Sequence, residues 1–270
     1  MGSPNITKRT SRVVVIMIIG LVIGVSCAPA TITSLPSTAL PTLKPTKEIL
    51  TPTSLPTITP LKPTEIPEYE DLEILVPSGN EAIIDGVLSP EEWDPAYQTE
   101  MVGGWELLLM HEGGYLYLGI RAKPEPVTSI CLDQGDRVSI LHSSAAIGTA
   151  TYQQGDEVWE MIRGFEWCCR EVMDSLQAQE LRSEHLQQNN WLASNGRMGV
   201  AEDVEFKIGM PDGLLRLAVT SIGAPDYEDI AWWPVDMADD CRDLRMIQGS
   251  LPDQAQFLVE NWMTLNASTN

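Results

Sequence analysis

The chain has few basic residues for its length. Only 17 of its 270 residues are Lys or Arg, against 38 Asp and Glu, which gives a formal net charge of −21. Proteins that bind nucleic acid through its phosphates, or anionic lipid through a basic face, need clustered Lys and Arg. The shortage of basic residues therefore argues against both kinds of partner.

Several motifs of catalysis and cofactor binding are also missing. The chain has three histidines and contains no C-x-x-C-H, no G-x-S-x-G and no EF-hand loop. Haem attachment, serine hydrolysis and EF-hand calcium binding are therefore disfavoured. Apolar residues nevertheless make up 43% of the chain, which is too many for a wholly disordered protein.

The N-terminal residues have the pattern of an export signal. Three basic residues between positions 8 and 12 precede thirteen uncharged residues, Val13–Val25. This run is shorter than the roughly 20 apolar residues of a membrane-spanning helix. We interpret residues 1–26 as a signal peptide.

The end of this signal resembles the lipobox of bacterial lipoproteins in the sequence Gly24-Val25-Ser26-Cys27, although Gly24 stands where a Leu-like residue is usual. The resemblance implies that Cys27 is lipidated, with palmitate among its acyl chains, and becomes the new N-terminus. The exported chain would then be anchored to the outer face of a bacterial cell membrane. An uncleaved signal anchor and ordinary cleavage beside an incidental cysteine are the alternatives.

Residues 27–67 are predicted to be a disordered tether. From Ala28 to Pro67 the chain contains 10 Thr and 9 Pro in 40 residues and no aromatic side chain. Proline lacks an amide donor and disfavours helix in the preceding residue, so such a segment cannot build a packed core. An extended polyproline-like chain of this length would reach on the order of 100 Å.

Residues 68–270 are predicted to form one folded domain. They hold 11 basic and 36 acidic residues, a formal net charge of −25, and all 8 Trp. Short apolar runs of strand length are separated by Gly- and Asp-containing turns at roughly 10-residue spacing, which is typical of an antiparallel β-sandwich. The paired runs are Trp105–Met110 with Tyr115–Arg121, Val127–Asp133 with Arg137–His142, Gly148–Tyr152 with Val158–Ile162, and Asp203–Ile208 with Leu214–Ser221.

One stretch interrupts the strand pattern. Glu171–Asn190 has no Gly or Pro and is rich in Glu, Gln, Leu and Arg, which predicts an inserted helix. The residues expected on its buried side are Val172, Met173, Leu176, Leu181 and Leu186.

Three segments resemble family 9 carbohydrate-binding modules and the wider DOMON-like superfamily. They are Ala82–Trp93, which reads AIIDGVLSPEEW, then Tyr115–Ala122 (YLYLGIRA) and Asp203–Ile208 (DVEFKI). The resemblance implies a β-sandwich of the immunoglobulin-like or jelly-roll type. Such a domain would bind a small ligand and would not be an enzyme. Members of this superfamily bind sugars, haem or other small molecules, and a structural calcium is common among them. Calcium is therefore the metal that we would expect here, whereas the scarcity of His disfavours haem.

The ligand-binding candidates are aromatic and polar residues of the domain's second half. A Trp ring can pack against the C–H face of a sugar, and neighbouring Trp side chains on a strand point to opposite faces. We expect a polar pocket where His142 approaches Tyr152, Trp159 and Arg163 across strands. The full set of candidates is Trp159, Trp167, Trp191, Trp232, Trp233, His142, Tyr152 and Arg163.

Four cysteines remain after Cys27, and an even number in an exported domain predicts two disulfides. Because a bridge between adjacent cysteines is strained and rare, we expect Cys131 to pair with one of Cys168 and Cys169, and Cys241 with the other. The alternative of a metal site is disfavoured because no C-x-x-C spacing is present.

The sequence thus predicts a lipid-anchored, non-catalytic domain that binds a small ligand, with carbohydrate first. The alternative is an interaction module that docks another envelope protein through a sandwich edge or the helix. A hydrolase using two of the many acidic residues is a third hypothesis, because glycosidases need paired carboxylates.

Overall fold

The computed structural model describes residues 73–169, 176–196 and 202–267. The predicted signal peptide, Cys27 and the tether lie outside these residues. Within the described ranges, no helix is long and apolar enough to cross a membrane.

The described residues form the all-β fold with an inserted helix that the sequence predicts. The strands are β1 (Glu73–Leu75), β2 (Tyr97–Glu100), β3 (Glu106–Glu112), β4 (Tyr115–Arg121), β5 (Val127–Asp133), β6 (Arg137–Ser143), β7 (Ile147–Gln154), β8 (Trp159–Cys168), β9 (Trp191–Asn195), β10 (Asp203–Gly209), β11 (Leu214–Ile222), β12 (Ala231–Trp233), β13 (Gln254–Ala255) and β14 (Met263–Asn266). The helices are α1 (Pro90–Trp93), α2 (Leu176–Asn189) and α3 (Leu244–Ile247), with 3₁₀ turns η1 (Asp240–Arg242) and η2 (Val259–Asn261).

Two sheets pack face to face as a sandwich. The small sheet has the order β2-β3-β4-β10-β9, and the large sheet has the order β1-β14-β11-β5-β6-β7-β8-β13, with β12 also paired to β11. Neighbouring strands are antiparallel except for β1 and β14, which are parallel. Alternate side chains of both sheets, such as Leu118, Phe206 and Leu217, point inward and form the buried core between them.

Glycine turns join the predicted hairpins. Gly113 and Gly114 connect β3 to β4 with φ values of 59° and 80°, a left-handed conformation that glycine adopts without steric cost. The β5–β6 and β7–β8 hairpins also form as predicted. The turn Pro211–Gly213 differs, because it carries the chain from β10 in the small sheet to β11 in the large sheet.

The outer faces of both sheets are largely covered. The segment after β12 lies on the large sheet, where Met246, Phe257 and Trp262 pack against Ile140 and Tyr152. The segment before β2 lies on the small sheet, where its own cluster of apolar residues is buried. That cluster consists of Ala82, Leu88, Trp93, Leu108, Met110 and Tyr117.

The helix forms within the predicted segment, but the expected buried side is wrong. Leu176 is 80% exposed and Leu181 is 42% exposed, whereas Ala178 and His185 are buried. Arg182 lies between them and donates hydrogen bonds to the carbonyl oxygens of Ala193 and Ile84, each at 3.0 Å. The stripe that faces the sandwich is therefore narrow and partly polar. The predicted buried residues Val172 and Met173 lie outside the described residues.

The cysteine pairing also differs from the prediction. The disulfides are Cys131–Cys241 and Cys168–Cys169. Cys131 points to the outer face of the large sheet, where η1 brings Cys241 against it, whereas Cys168 and Cys169 pack against the core between the sheets. Because the sheet separates the two environments, neither expected cross-pair can form.

Candidate functional site

A groove runs between the end of β8 and one side of α2. It has a volume of about 250 Å³. We call it the β8–α2 groove, and its lining residues are Glu166, Trp167, Cys168, Leu181, Glu184, His185, Gln188 and Asn189. Other segments cover most of the outer faces of the two sheets. In this groove, by contrast, an aromatic side chain and polar side chains are accessible together.

Trp167 is the accessible aromatic residue of the groove. All eight Trp lie in the described ranges. Trp167 is the only one of them that is exposed, with 47% of its surface accessible to solvent. Its ring lies across Gly148 of β7, where an added Cβ would stand 2.7 Å from Trp167 Cε3. The ring centroids of Phe165 and His142 are 4.7 and 5.3 Å away. One part of the indole is therefore fixed by packing while the remainder faces solvent.

His142 supports the indole from beneath the surface. It is 3% exposed, and its Nδ1 lies 3.1 Å from Ser129 Oγ. Burial lowers the pKa of His142 to about 4, so the ring is neutral near pH 7. A neutral imidazole packs beside Trp167 without a buried charge.

The helix contributes the polar wall of the groove. The groove-lining Glu184, His185, Gln188 and Asn189 fall within two consecutive turns of α2, so their side chains share one side of the helix. The Nδ2 of Asn189 lies 3.2 Å from His185 Nδ1 and donates to it, because an amide nitrogen is a donor only. In the neutral ring the proton is then on Nε2.

That Nε2 is the one buried side-chain nitrogen or oxygen in the described residues without a hydrogen-bond partner. His185 is 7% exposed, and its ring packs edge-on against Trp191 at 5.1 Å. Burial, and then the nearby Arg182 charge, lower the pKa of His185. Buried polar groups are nearly always satisfied, so this unpaired Nε2 is an exception among the described side chains.

The groove carries more carboxylate than basic charge. Glu166 and Glu184 line it, and Arg163 Nη1 lies 3.2 Å from Glu166 Oε2 on the exposed side of β8. Both members of this ion pair are 61% exposed, so it contributes little to stability.

The pocket predicted around His142 is not formed. In the register of the large sheet His142 pairs with Gly148, whereas Tyr152 pairs with Val138, four residues away along β6. Tyr152 and Trp159 are buried in the outer cluster, where they donate to the carbonyls of Pro252 and Phe257. Arg163 is exposed and bonds to Glu166 instead.

The other predicted Trp residues are structural. Trp191 and Trp233 are buried between the sheets, and Trp191 Nε1 donates to Thr149 Oγ1 at 2.9 Å. Trp232 points to the opposite face from Trp233, as predicted for neighbours on a strand, and the Arg242 guanidinium lies 4.6 Å from its ring centroid. Of the residues predicted to bind ligand, the structure places only Trp167 in the groove.

Sequence reasoning missed the α2 residues of the groove. The predicted helix contained Glu184, His185 and Gln188, but its Leu spacing suggested a different buried side. A search for polar side chains at i, i+1 and i+4 could have found them.

A metal site is not evident in the described residues, where no group of three or more His, Cys, Asp or Glu side chains could hold an ion.

No protein-family model matches the chain, and no curated protein matches it. Among solved structures, the crystal structure of a putative carbohydrate-binding protein from Bacteroides uniformis is similar over 72% of this chain and 98% of the other. The sequence identity is 11% and the TM-score is 0.37. A likeness of this size carries no argument about the ligand.

Proposed function

We propose that the domain is a non-catalytic binding module for a neutral carbohydrate, which it holds in the β8–α2 groove. The observation that carries the proposal is the half-exposed Trp167 in a groove that polar side chains of α2 also line. The C–H face of a sugar ring packs on an indole, and its hydroxyl groups both donate and accept hydrogen bonds. Glu184 can accept from a hydroxyl, and the amides of Gln188 and Asn189 can both donate and accept.

The charge and size of the site favour a neutral ligand of one or a few sugar rings. Two carboxylates line the groove, and the domain carries a formal charge of −25, so an acidic glycan would be repelled. The volume of about 250 Å³ is just below the ~300 Å³ at which pockets for drug-sized ligands begin.

Binding without catalysis is part of the proposal. A glycosidase needs one carboxyl group that stays protonated in a dry environment. Glu166 is 61% exposed and bonded to Arg163, and Glu184 is also exposed, so solvent reaches both carboxylates of the groove. This setting supports recognition rather than acid catalysis.

We further propose that the domain is a DOMON-like module displayed from the membrane by a lipid on Cys27 and a Thr/Pro tether. The support is the sequence of the leader and tether and the segment Ala82–Trp93. Mass spectrometry of the N-terminal peptide from membranes would show an acylated Cys27, and Cys27→Ser would release the chain. An unmodified Cys27 in membrane-bound protein would contradict the anchor.

The carbohydrate proposal is tested by titrating the full-length chain with linear oligosaccharides of glucose, xylose, mannose and N-acetylglucosamine in a calorimeter. We expect one of these to bind and Trp167→Ala to weaken it about tenfold or more, since an aromatic stacking surface is lost. Trp232→Phe is the matched control, because it alters a Trp outside the groove. Failure of the wild-type chain to bind any of the four series would overturn the proposal.

An interaction module remains the second candidate, because Leu176 and Leu181 expose apolar surface on α2. If a partner protein covers this helix, Leu176→Gln should weaken that association and leave oligosaccharide binding unchanged, because Leu176 does not line the groove. An association with the partner that Leu176→Gln leaves unchanged would contradict this candidate.

A further inference from the structure

A second cleft lies on the outer face of the small sheet, beside the β3–β4 turn. Its volume is about 480 Å³, larger than that of the β8–α2 groove. The side chains that shape it are Asn80, Glu81, Glu112, Tyr115, Tyr117 and Lys207. It is formed where the apolar cover contributed by Ala82, Leu88 and Trp93 ends. We call it the Tyr115 cleft.

The register of the sheet brings the aromatic and basic groups of this cleft together. Lys207 on β10 pairs with Tyr117 on β4, so both side chains leave the sheet on the same face. Lys207 Nζ lies 4.6 Å from the Tyr115 ring centroid and 5.3 Å from that of Tyr117. The ammonium is therefore held by two tyrosine rings, at distances typical of cation–π contacts.

A carboxylate at the rim completes the cluster. Lys207 Nζ donates to Glu81 Oε1 at 2.8 Å, with the lysine side chain 12% exposed and the glutamate 73% exposed. Lys207 lowers the pKa of Glu81, so this carboxylate is ionised at neutral pH. Burial raises the pKa of Tyr117.

The surroundings of Lys207 favour its charged form. Burial lowers the pKa of the ammonium, but the hydrogen bond to Glu81 acts in the opposite direction and the pKa is raised overall. A charged Lys at the base of an open cleft, beside an accessible carboxylate, is well suited to bind hydroxyl groups.

We propose that the Tyr115 cleft is a second binding site, for a neutral sugar that presents two adjacent hydroxyl groups. One hydroxyl donates to Glu81 while its neighbour accepts from the Lys207 ammonium, which has three N–H donors. The half-buried Tyr115 ring offers a surface for the sugar's C–H groups, and Asn80 adds an amide. Two carboxylates against one ammonium disfavour an acidic sugar, so the ligand is neutral.

The Tyr115 cleft lies on the small sheet and shares no lining residue with the β8–α2 groove. Binding there does not depend on Trp167. The test therefore uses the full-length chain carrying Trp167→Ala, titrated calorimetrically with the same four oligosaccharide series. We expect residual binding in this background, which Tyr115→Ala weakens about tenfold and Tyr115→Phe largely preserves. Lys207→Gln should weaken it as well, because the ammonium donor is lost.

The matched control is Tyr97→Ala, because Tyr97 is 38% exposed on the same sheet but does not line the cleft. Thermal melts of each variant separate loss of binding from loss of folding, and Tyr115→Ala alone decides if Lys207→Gln is unfolded. Binding that Trp167→Ala abolishes completely would overturn the second site and leave the groove proposal standing. Binding that Tyr115→Ala weakens but Trp167→Ala does not would support the Tyr115 cleft and overturn the groove. No binding in any series would overturn both.

Discussion

The buried carboxylate of Glu205 accepts a hydrogen bond from the backbone N–H of Gly86 at 2.6 Å, across 119 residues of sequence. The same carboxylate accepts from Asp85 N at 2.9 Å and from Trp93 Nε1 at 3.2 Å. Glu205 is on β10 and is fully buried. Two segments that are far apart in the sequence therefore meet at one side chain, which fixes the N-terminal cover to the small sheet.

Removing this carboxylate should destabilise the domain. Glu205→Ala leaves the buried N–H donors of Gly86 and Trp93 without an acceptor, and each such orphan costs about 1–3 kcal/mol. We expect a loss of about 2–4 kcal/mol in the free energy of unfolding, measured by urea denaturation. Glu205→Gln keeps one acceptor oxygen and should lose less. Equal stability of Glu205→Ala and wild type would contradict the anchoring role.

Glu205 should also make stability depend on pH. Burial raises its pKa to about 7 from an ordinary value of 4.5, although the surrounding N–H donors act in the opposite direction. A raised carboxyl pKa means that the folded state favours the protonated form. The stabilisation is then complete below about pH 4.5, declines as the pH rises towards 7, and levels off above it.

The size of this effect is up to about 3 kcal/mol, from the difference between the two pKa values. Urea denaturation at a series of pH values between 4 and 8.5 measures it. The difference in unfolding free energy between wild type and Glu205→Gln isolates the contribution of Glu205, because the other acidic residues, Asp239 among them, titrate equally in both proteins. A difference that does not change with pH would show that Glu205 keeps an ordinary pKa.

The sequence predicted the parts of the fold that depend on local pattern. Alternating strands and glycine turns gave three of the hairpins, and the absence of Gly and Pro gave α2. The turn at Pro211–Gly213 has the same local signature as a hairpin turn, yet it joins two different sheets. The path of the chain after this turn depends on the strands with which β11 pairs, and those strands are distant in sequence.

The candidate site was harder to predict for the same reason. Whether a Trp side chain can stack on a ligand or is buried in the core depends on which other segments of the chain pack over it. Trp159 has the same chemistry as Trp167, but the segment containing Phe257 buries it. In α2 the Leu residues suggested a buried side, whereas the hydrogen bonds of Arg182 to two distant carbonyls determine how the helix faces the sheet.

The two disulfides should differ in their effect on stability. Cys131–Cys241 closes a loop with a sequence separation of 110, whereas Cys168–Cys169 joins neighbours and closes none. Because disulfides stabilise mainly by restricting the unfolded chain, we expect Cys131→Ser with Cys241→Ser to cost about 2–4 kcal/mol. Cys168→Ser with Cys169→Ser should change global stability by less than about 1 kcal/mol.

Urea denaturation of both double variants measures this difference. Mass spectrometry of peptides from the non-reduced wild-type chain checks the pairing itself. A peptide linking Cys131 to Cys168 or Cys169 would contradict the structure, and so would equal destabilisation by the two double variants.

The small residue beneath Trp167 should control the orientation of the indole. A Cβ at Gly148 would stand 2.7 Å from Trp167 Cε3, so Gly148→Ala must displace the ring or the strand. Overpacking of this kind costs about 1–3 kcal/mol. We expect Gly148→Ala to change the chemical shift of the Trp167 indole N–H, a signal that Trp167→Phe identifies in the NMR spectrum. We also expect it to weaken oligosaccharide binding in the groove about tenfold.

Gly164→Ala is the matched control, because no atom lies within 4 Å of an added Cβ on this nearby residue of β8. If Gly148→Ala and Gly164→Ala give the same indole spectrum, then Trp167 is not held against Gly148, and the fixed aromatic surface on which the groove proposal depends does not exist.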